Sequence, residues 1–360
     1  MEHFLRLLII LPTLISLANA EDVARITLEN APKAGPIRPA PNLNATFSPV
    51  AAAQYLDIAS LNWQRDKNCA TCHTNMAYLM ARPALEEVTR SSGEVRNFFE
   101  QYIERRWAGS GNAPKIGDYR TVVVATGLVM NDAASGQNTS NVAQQALDLM
   151  WSTQREDGSW KWAKCGWAPM EIDDHYGVTL AAIAAGSAPG LDAESTLAKQ
   201  GLHRIRGYLK SEPAPSLHHR IMMLWASQYL DGILSQPQQE SILEELTKSQ
   251  RPDGGWSTAQ LLSDWKEFKR KDQQQPDLVN SDAYATGLAL VVLRGSGYQG
   301  DDPRINSALT WIETHQDEDG KWFTASPSKD SKQYFTNIGT AFAVLGLDAY
   351  GRTASRTKTK

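Results

Sequence analysis

Three copies of one seven-residue turn recur along the chain: Gln154-Arg-Glu-Asp-Gly-Ser-Trp160, Gln250-Arg-Pro-Asp-Gly-Gly-Trp256 and Gln316-Asp-Glu-Asp-Gly-Lys-Trp322. Units that close the same way three times are structural repeats, which constrains the architecture before any chemistry is read. Each turn follows an apolar run at helical spacing: Ala146, Leu147, Leu149 and Met150; Ile242, Leu243 and Leu246; Ala308, Leu309 and Ile312. Each run therefore predicts a helix. The glycine suits a helix stop, because it accepts the left-handed conformation in which helices end. After a variable loop comes a second, more apolar segment, at 173–185, 281–293 and 334–347, with polar residues near its start that suit helix capping.

The alternation extends beyond the full signature. The segment 94–107 leads to 118–130 and 196–209 leads to 216–230, with a further pair at 51–60 and 72–84. That makes six helical hairpins across roughly 300 residues and predicts an all-α fold. Hairpins that each leave an apolar face uncovered must stack or close on one another. Closure into an α/α toroid fits six, and an open helical solenoid is the alternative.

The Gln-x3-Gly-x-Trp signature resembles that of the terpenoid cyclase and protein prenyltransferase superfamily, and the resemblance covers about residues 50–350. It implies a squalene-cyclase-like α/α toroid with apolar inner helices and leaves the reaction open. The zinc ligands of the prenyltransferases have no counterpart here in the same order, so that kinship is one of fold.

The two ends read differently. Arg6 precedes an apolar run from Leu7 to Ala18, and Ala18-Asn19-Ala20 is a cleavage-site pattern, so residues 1–20 read as a signal peptide and the protein as exported, periplasmic or extracellular. A signal anchor is the other reading, although the run is short for a membrane span, so no integral membrane segment is expected after cleavage. Residues 21–48 are rich in Pro, Ala and Asn and predict a flexible leader, followed by the toroid domain over 49–350. Residues 351–360 read as a disordered basic tail. The net charge of −4, with no basic stripe, argues against nucleic acid as a partner. The sequence has no G-x-S-x-G, P-loop or dinucleotide fingerprint, which removes serine hydrolases of that type, NTPases and nicotinamide enzymes.

The sharpest chemical motif is Cys69-Ala-Thr-Cys72-His73. C-x-x-C-H is the attachment pattern of c-type haem, in which two thiols bind the porphyrin edge and the adjacent imidazole binds iron. Residues three and four apart on a helix start share a face, which brings both sulfurs and the ring to one macrocycle. Met170 and His175 are candidate sixth ligands. Two other readings stay open: a local disulfide, or a zinc site completed by Cys165 and a histidine.

The second motif runs from Gly166 to Gly177 and contains Glu171, Asp173, Asp174 and His175. It resembles the D-x-D-D acid of class II terpene cyclases, which implies that Asp173 would be the proton donor, with Glu171 and Asp174 as the flanking acids. Clustered carboxylates do not all ionise cheaply, so such a cluster holds a proton. The chain departs from that pattern in having Glu171 as its first acid and His175 after it, and an imidazolium there would favour ionised carboxylates. The plain alternative is that Asp173 caps a helix, as Asp282 does in the same style.

Both motifs fall at inner-helix starts, as do Asp118, Ser281–Asp282 and 334–337, so in a toroid they should gather at one mouth. Trp160, Trp256 and Trp322 read as structural staples of the turns, whereas Trp162 and Trp167 are candidates for lining a cavity. The pair His218-His219 reads as a surface or capping feature, with a metal role alongside His175 as the alternative, and His203 and His315 read as solvent-facing. Two function classes follow: a haem-bearing redox or electron-transfer protein with a redox partner, or a lyase or isomerase acting on an isoprenoid or other apolar small molecule. A non-catalytic binding toroid is the third.

Overall fold

The structure is a computed structural model and describes residues 24–108, 113–188, 195–266, 268–331 and 333–353. The segment 1–20, read above as a signal peptide, and most of the tail expected to be disordered lie outside these residues. The protein is all-α: among the described residues thirteen α-helices are joined by loops, with isolated β-bridges and no strand.

Two kinds of helix alternate. Six carry one apolar stripe: α1 (Pro49–Lys67), α3 (Glu94–Ile103), α5 (Asn141–Ser152), α7 (Thr196–Ser211), α9 (Gln236–Lys248) and α12 (Pro303–Thr314). In α5 the stripe is Ala143, Ala146, Leu147 and Met150, the i, i+3, i+4, i+7 pattern of a helix with one face on the core. Six others are buried on most of their circumference: α2 (Asn75–Ala81), α4 (Tyr119–Ala134), α6 (Asp174–Ser187), α8 (Leu217–Ser227), α11 (Ala283–Gly295) and α13 (Phe335–Ala349). The remaining helix, α10 (Thr258–Leu261), is a single turn in the loop before α11. The buried helices pack on one another in chain order, and α13 packs back on α2. The approach of α11 to α13 is close because Gly287 has no side chain: a Cβ there would stand 2.1 Å from the Phe342 carbonyl oxygen.

The three repeated turns are superimposable in their chemistry. Each tryptophan is fully buried and donates its indole N–H to a carbonyl ten residues upstream: Trp160 to Met150 (3.1 Å), Trp256 to Leu246 (2.8 Å) and Trp322 to Ile312 (2.8 Å). Each glutamine amide donates to the carbonyl of its own glycine and to one at the start of another covering helix: Gln154 to Gly201, Gln250 to Arg304, Gln316 to Ser48. Three residues after each of those acceptors, the same helix presses on the glycine of the turn. A Cβ on Gly158, Gly254 or Gly320 would stand 2.3, 2.8 or 2.1 Å from the carbonyl oxygen of Arg204, Ser307 or Ala51. The turn thus staples one hairpin to the next, and the last turn staples onto α1, the first helix.

The glycines do not stop the helices. The preceding helices end at Ser152, Lys248 and Thr314, before the glutamine, and the glycines, at φ of +92°, +95° and +92°, close small hairpins such as Arg155 N–H to Ser159 carbonyl. The Pro-rich segment expected to be a flexible leader is tied to the helical body over its described residues. Asn62 holds the Pro32 carbonyl and the Ala34 N–H, Asp317 accepts from Ala40 N–H, and Asn44 bonds Gln316. Buried Arg82 meets Asp57 through two hydrogen bonds, 3.0 and 3.2 Å, and joins α2 to α1.

Candidate functional site

The Cys69–His73 loop is fixed from both sides. Trp63 Nε1 and Asn75 Nδ2 both donate to the Cys69 carbonyl, and Asn75 Oδ1 accepts from Thr71 N–H. The next loop, between α5 and α6, contributes a tight hairpin: Glu171 N–H donates to the Trp167 carbonyl, and Gly166 N–H donates to the Glu171 carbonyl. This hairpin carries Trp167 and Glu171 to the cysteine loop. Gly166 makes room for Lys271, whose ammonium donates to the Cys165 carbonyl.

Glu171 is the hub. Its Oε1 lies 3.8 Å from Cys72 Sγ and 3.9 Å from His73 Nε2, and it also accepts a hydrogen bond from the Cys165 thiol. All three cysteines are free thiols. Burial pushes Glu171 above the usual carboxylate range, with the two thiol hydrogen bonds opposing, and burial pushes Cys72 well above the usual thiol value, with Glu171 adding to it. Cys69 is raised less, because Arg120 and Arg106 offset part of its burial. His73 is held neutral, its pKa lowered by burial to about 4. Its Nδ1 bonds the Thr74 hydroxyl (2.9 Å), which accepts from Asn337, whose oxygen in turn accepts from Tyr55. The ring stacks near-parallel to Trp167 and Tyr334 and meets Trp63 edge-on.

The other acids separate. Asp173 caps α6 through Tyr176 N–H (3.0 Å) and pairs with His219 Nε2 (2.9 Å); the His219 bond and charge hold it below the usual carboxylate range against its own burial. Asp174 takes Arg155 (3.0 Å), Lys164 (3.5 Å) and Trp162 N–H. Glu171, Asp173 and Asp174 therefore share no proton, and the expected carboxylate cluster is three carboxylates with three separate sets of partners. Asp118, Asp173 and Asp282 cap α4, α6 and α11 alike, and loss of solvent pushes half-buried Asp282 up to about 6.

The pair His218-His219 is fully buried, not a surface feature. His219 Nδ1 bonds Ser216, His218 Nε2 bonds Tyr284, and His175 packs its ring 5.4 Å from that of His219. His175 is thus in the neighbouring cluster rather than over His73. It is buried with neither ring nitrogen hydrogen-bonded, and burial lowers its pKa to about 4. Trp162 packs against Tyr119 and Tyr176 as a core residue, with its indole donating to the Met170 carbonyl, so Trp167 is the one of the expected pair that reaches the site. Trp63 and Tyr334 were not singled out from the sequence. Tyr334 sits at the start of a buried helix, a position the expectation of a shared mouth already marked. His203 and His315 are exposed.

Cys72, His73, Cys165, Glu171, Trp63, Trp167 and Tyr334 thus form one cluster in which Cys72 and the neutral imidazole of His73 are buried, Trp63, Trp167, Glu171 and Tyr334 are half-buried and the free thiol of Cys165 is exposed. Among the described residues no group of three or more His, Cys, Asp or Glu side chains is already arranged to hold a metal ion, and no helix is long and apolar enough to cross a membrane. No known family model matches the chain, and no curated protein matches it.

Proposed function

We propose that this chain is an exported redox or electron-transfer protein, a squalene-cyclase-like α/α toroid that carries a covalent c-type haem at Cys69, Cys72 and His73. The toroid reading is supported by the return of α13 onto α2 and of Gln316 onto Ser48. The single observation that carries the haem reading is the state of His73: it is neutral, its Nδ1 is fixed by Thr74, and its Nε2 has its carboxylate neighbour beyond hydrogen-bond reach. A ligating imidazole needs its other nitrogen oriented in this way.

The donor set fits the group. Two unpaired thiols flank one turn, and the imidazole follows directly. When bound, a c-type haem supplies one-electron chemistry at iron. Glu171 lies on the Nε2 side and Trp167 against the ring face, so the Gly166–Glu171 hairpin is the element that must give way for a macrocycle to seat. Trp63 and Tyr334 pack against the other sides of the ring. Met170 is kept as the candidate sixth ligand, since His175 packs edge-on against His219 in the neighbouring cluster rather than against His73.

The acid-catalysed cyclase reading has less support. Asp173 is held low by His219, so at neutral pH it is a carboxylate and not a proton donor. A zinc site drawing on Cys69, Cys72, Cys165 and His73 is the reading to which a colourless protein would lead. The test is an absorption spectrum, with a haem stain after denaturing electrophoresis, of protein exported from a host that has cytochrome c maturation machinery. A covalent Soret-absorbing band that disappears in Cys72→Ala is the expected result. A colourless wild type overturns the haem reading, and metal analysis then decides for or against zinc.

A further inference from the structure

The Pro-rich segment and α1 border a half-open cavity of about 960 Å3 next to the His73 cluster. That volume lies in the range of about 300–1,000 Å3 usual for small-molecule sites. Its roof is the 32–39 strap, pinned at both ends, by Asn62 at Pro32 and Ala34 and by Asp317 at Ala40. Between the pins most strap residues are exposed, and a Cβ on Gly35 would meet nothing within 4 Å. Its three prolines fix their own φ and keep the span extended.

The charges of the lining are unequal in their commitments. Each lining acid already has a cationic partner: Asp66 pairs with Arg65, Asp319 with Lys321 and Asp330 with Arg270. Lys33, Arg38 and Lys67 also line the cavity, and among the described residues none of them has an ion-pair partner. Lys33 and Arg38 come from the strap and Lys67 from the last turn of α1, so the three cations reach the space from two different segments. The inner wall is aromatic, formed by Trp63 and Tyr334, whose rings stand edge-on to each other 5.0 Å apart.

We propose that this cavity is a binding site for a small aromatic anion, its ring system held against Trp63 and Tyr334 and its acidic group taken by Lys33, Arg38 and Lys67. Cations without partners around an aromatic wall favour a ligand that is apolar at one end and negative at the other. The site needs no cofactor at His73, so it stands or falls separately from the haem. Because Trp63 and Tyr334 also touch the His73 ring, a ligand there lies one layer of side chains from it.

The test uses two fluorescent probes of nearly the same shape, the anion 8-anilinonaphthalene-1-sulfonate and the neutral N-phenyl-1-naphthylamine, titrated into folded protein. The expected result is one site that prefers the anion and weakens with added salt. In the triple variant Lys33→Ala/Arg38→Ala/Lys67→Ala the anion should bind on the order of tenfold more weakly, with the neutral probe unchanged. A control pair of exposed cations that do not line the cavity, Lys210→Ala/Lys248→Ala, should leave both probes unaffected. Equal affinity for both probes, or a triple variant that binds the anion like wild type, overturns the proposal. All five substituted positions are surface residues, so the variants should fold, and circular dichroism checks that they do.

Discussion

Glu171 and Asp173 stand two residues apart at the entrance to α6, yet their environments push them in opposite directions. Asp173 finds the N–H of Tyr176 and the imidazole of His219, and although burial is the largest influence on it, the bond and charge of His219 together with the Tyr176 N–H outweigh it. Glu171 finds two weak thiol donors and no cation, and burial prevails. The lesson is that a carboxylate's state follows from what other segments bring to it. His219 arrives from α8 and Cys72 from the loop before α2, so the difference between the two acids is decided by elements remote in sequence.

The comparison breaks most visibly at Asp173. Asp173→Ala removes a helix cap and leaves His219 buried without its partner, and the expected loss is roughly 2–4 kcal/mol by chemical denaturation, from a cap plus a charged hydrogen bond. Stability equal to wild type would mean that the pair contributes little. Acidification gives the next effect. His73 and His175 are buried neutral with pKa lowered to about 4, while in the unfolded chain an imidazole titrates near roughly 6.5. The unfolded state therefore takes up protons first, so their contribution to stability is complete above about pH 6.5 and is lost as pH falls toward 4. Asp173, held low, adds to the loss further down, as pH falls from its unfolded value near roughly 4 through its folded one.

Glu171 gives the smallest effect and the opposite sign. Its raised pKa means that ionisation opposes the folded state, so protonation there favours folding as pH drops through its folded value. Glu171→Gln should consequently leave the melting temperature at pH 7 unchanged or slightly raised, because a neutral amide keeps the shape without the charge. A drop of several degrees would show that the carboxylate is held by something stronger than two thiols.

Much of the scaffold was legible because its signals are local and repeated. The apolar runs and the Gln–Trp turns place helices in the expected segments, and Trp160, Trp256 and Trp322 are the staples their spacing implies. The role of the glycine was legible only in part. Its positive φ was foreseen, but its pressure on the backbone of another helix was not, since Arg204, Ser307 and Ala51 are brought by packing. The site was less legible. The spacing of Cys69, Cys72 and His73 marks them as a unit, and the expectation that helix starts meet at one mouth agrees with the contact of Tyr334 with His73 and of Glu171 with Cys72. The acid motif misled because closeness along the chain was taken for closeness in charge. His218 and His219 were misjudged because polar side chains at a helix start are ordinarily solvated, and here Ser216, Tyr284 and Asp173 replace water.

What the sequence determined by itself is the helical character, the hairpin repeat and the choice of candidate site residues, because periodicity, turn chemistry and short motifs act within one or two turns of chain. What only the tertiary structure decided is which of those side chains are charged, which are paired and which stay free. Those states depend on desolvation and on partners delivered from distant helices. The same holds for the cavity under the 32–39 strap, which requires α1, α13 and the Pro-rich segment to be set against one another before there is any space to enclose.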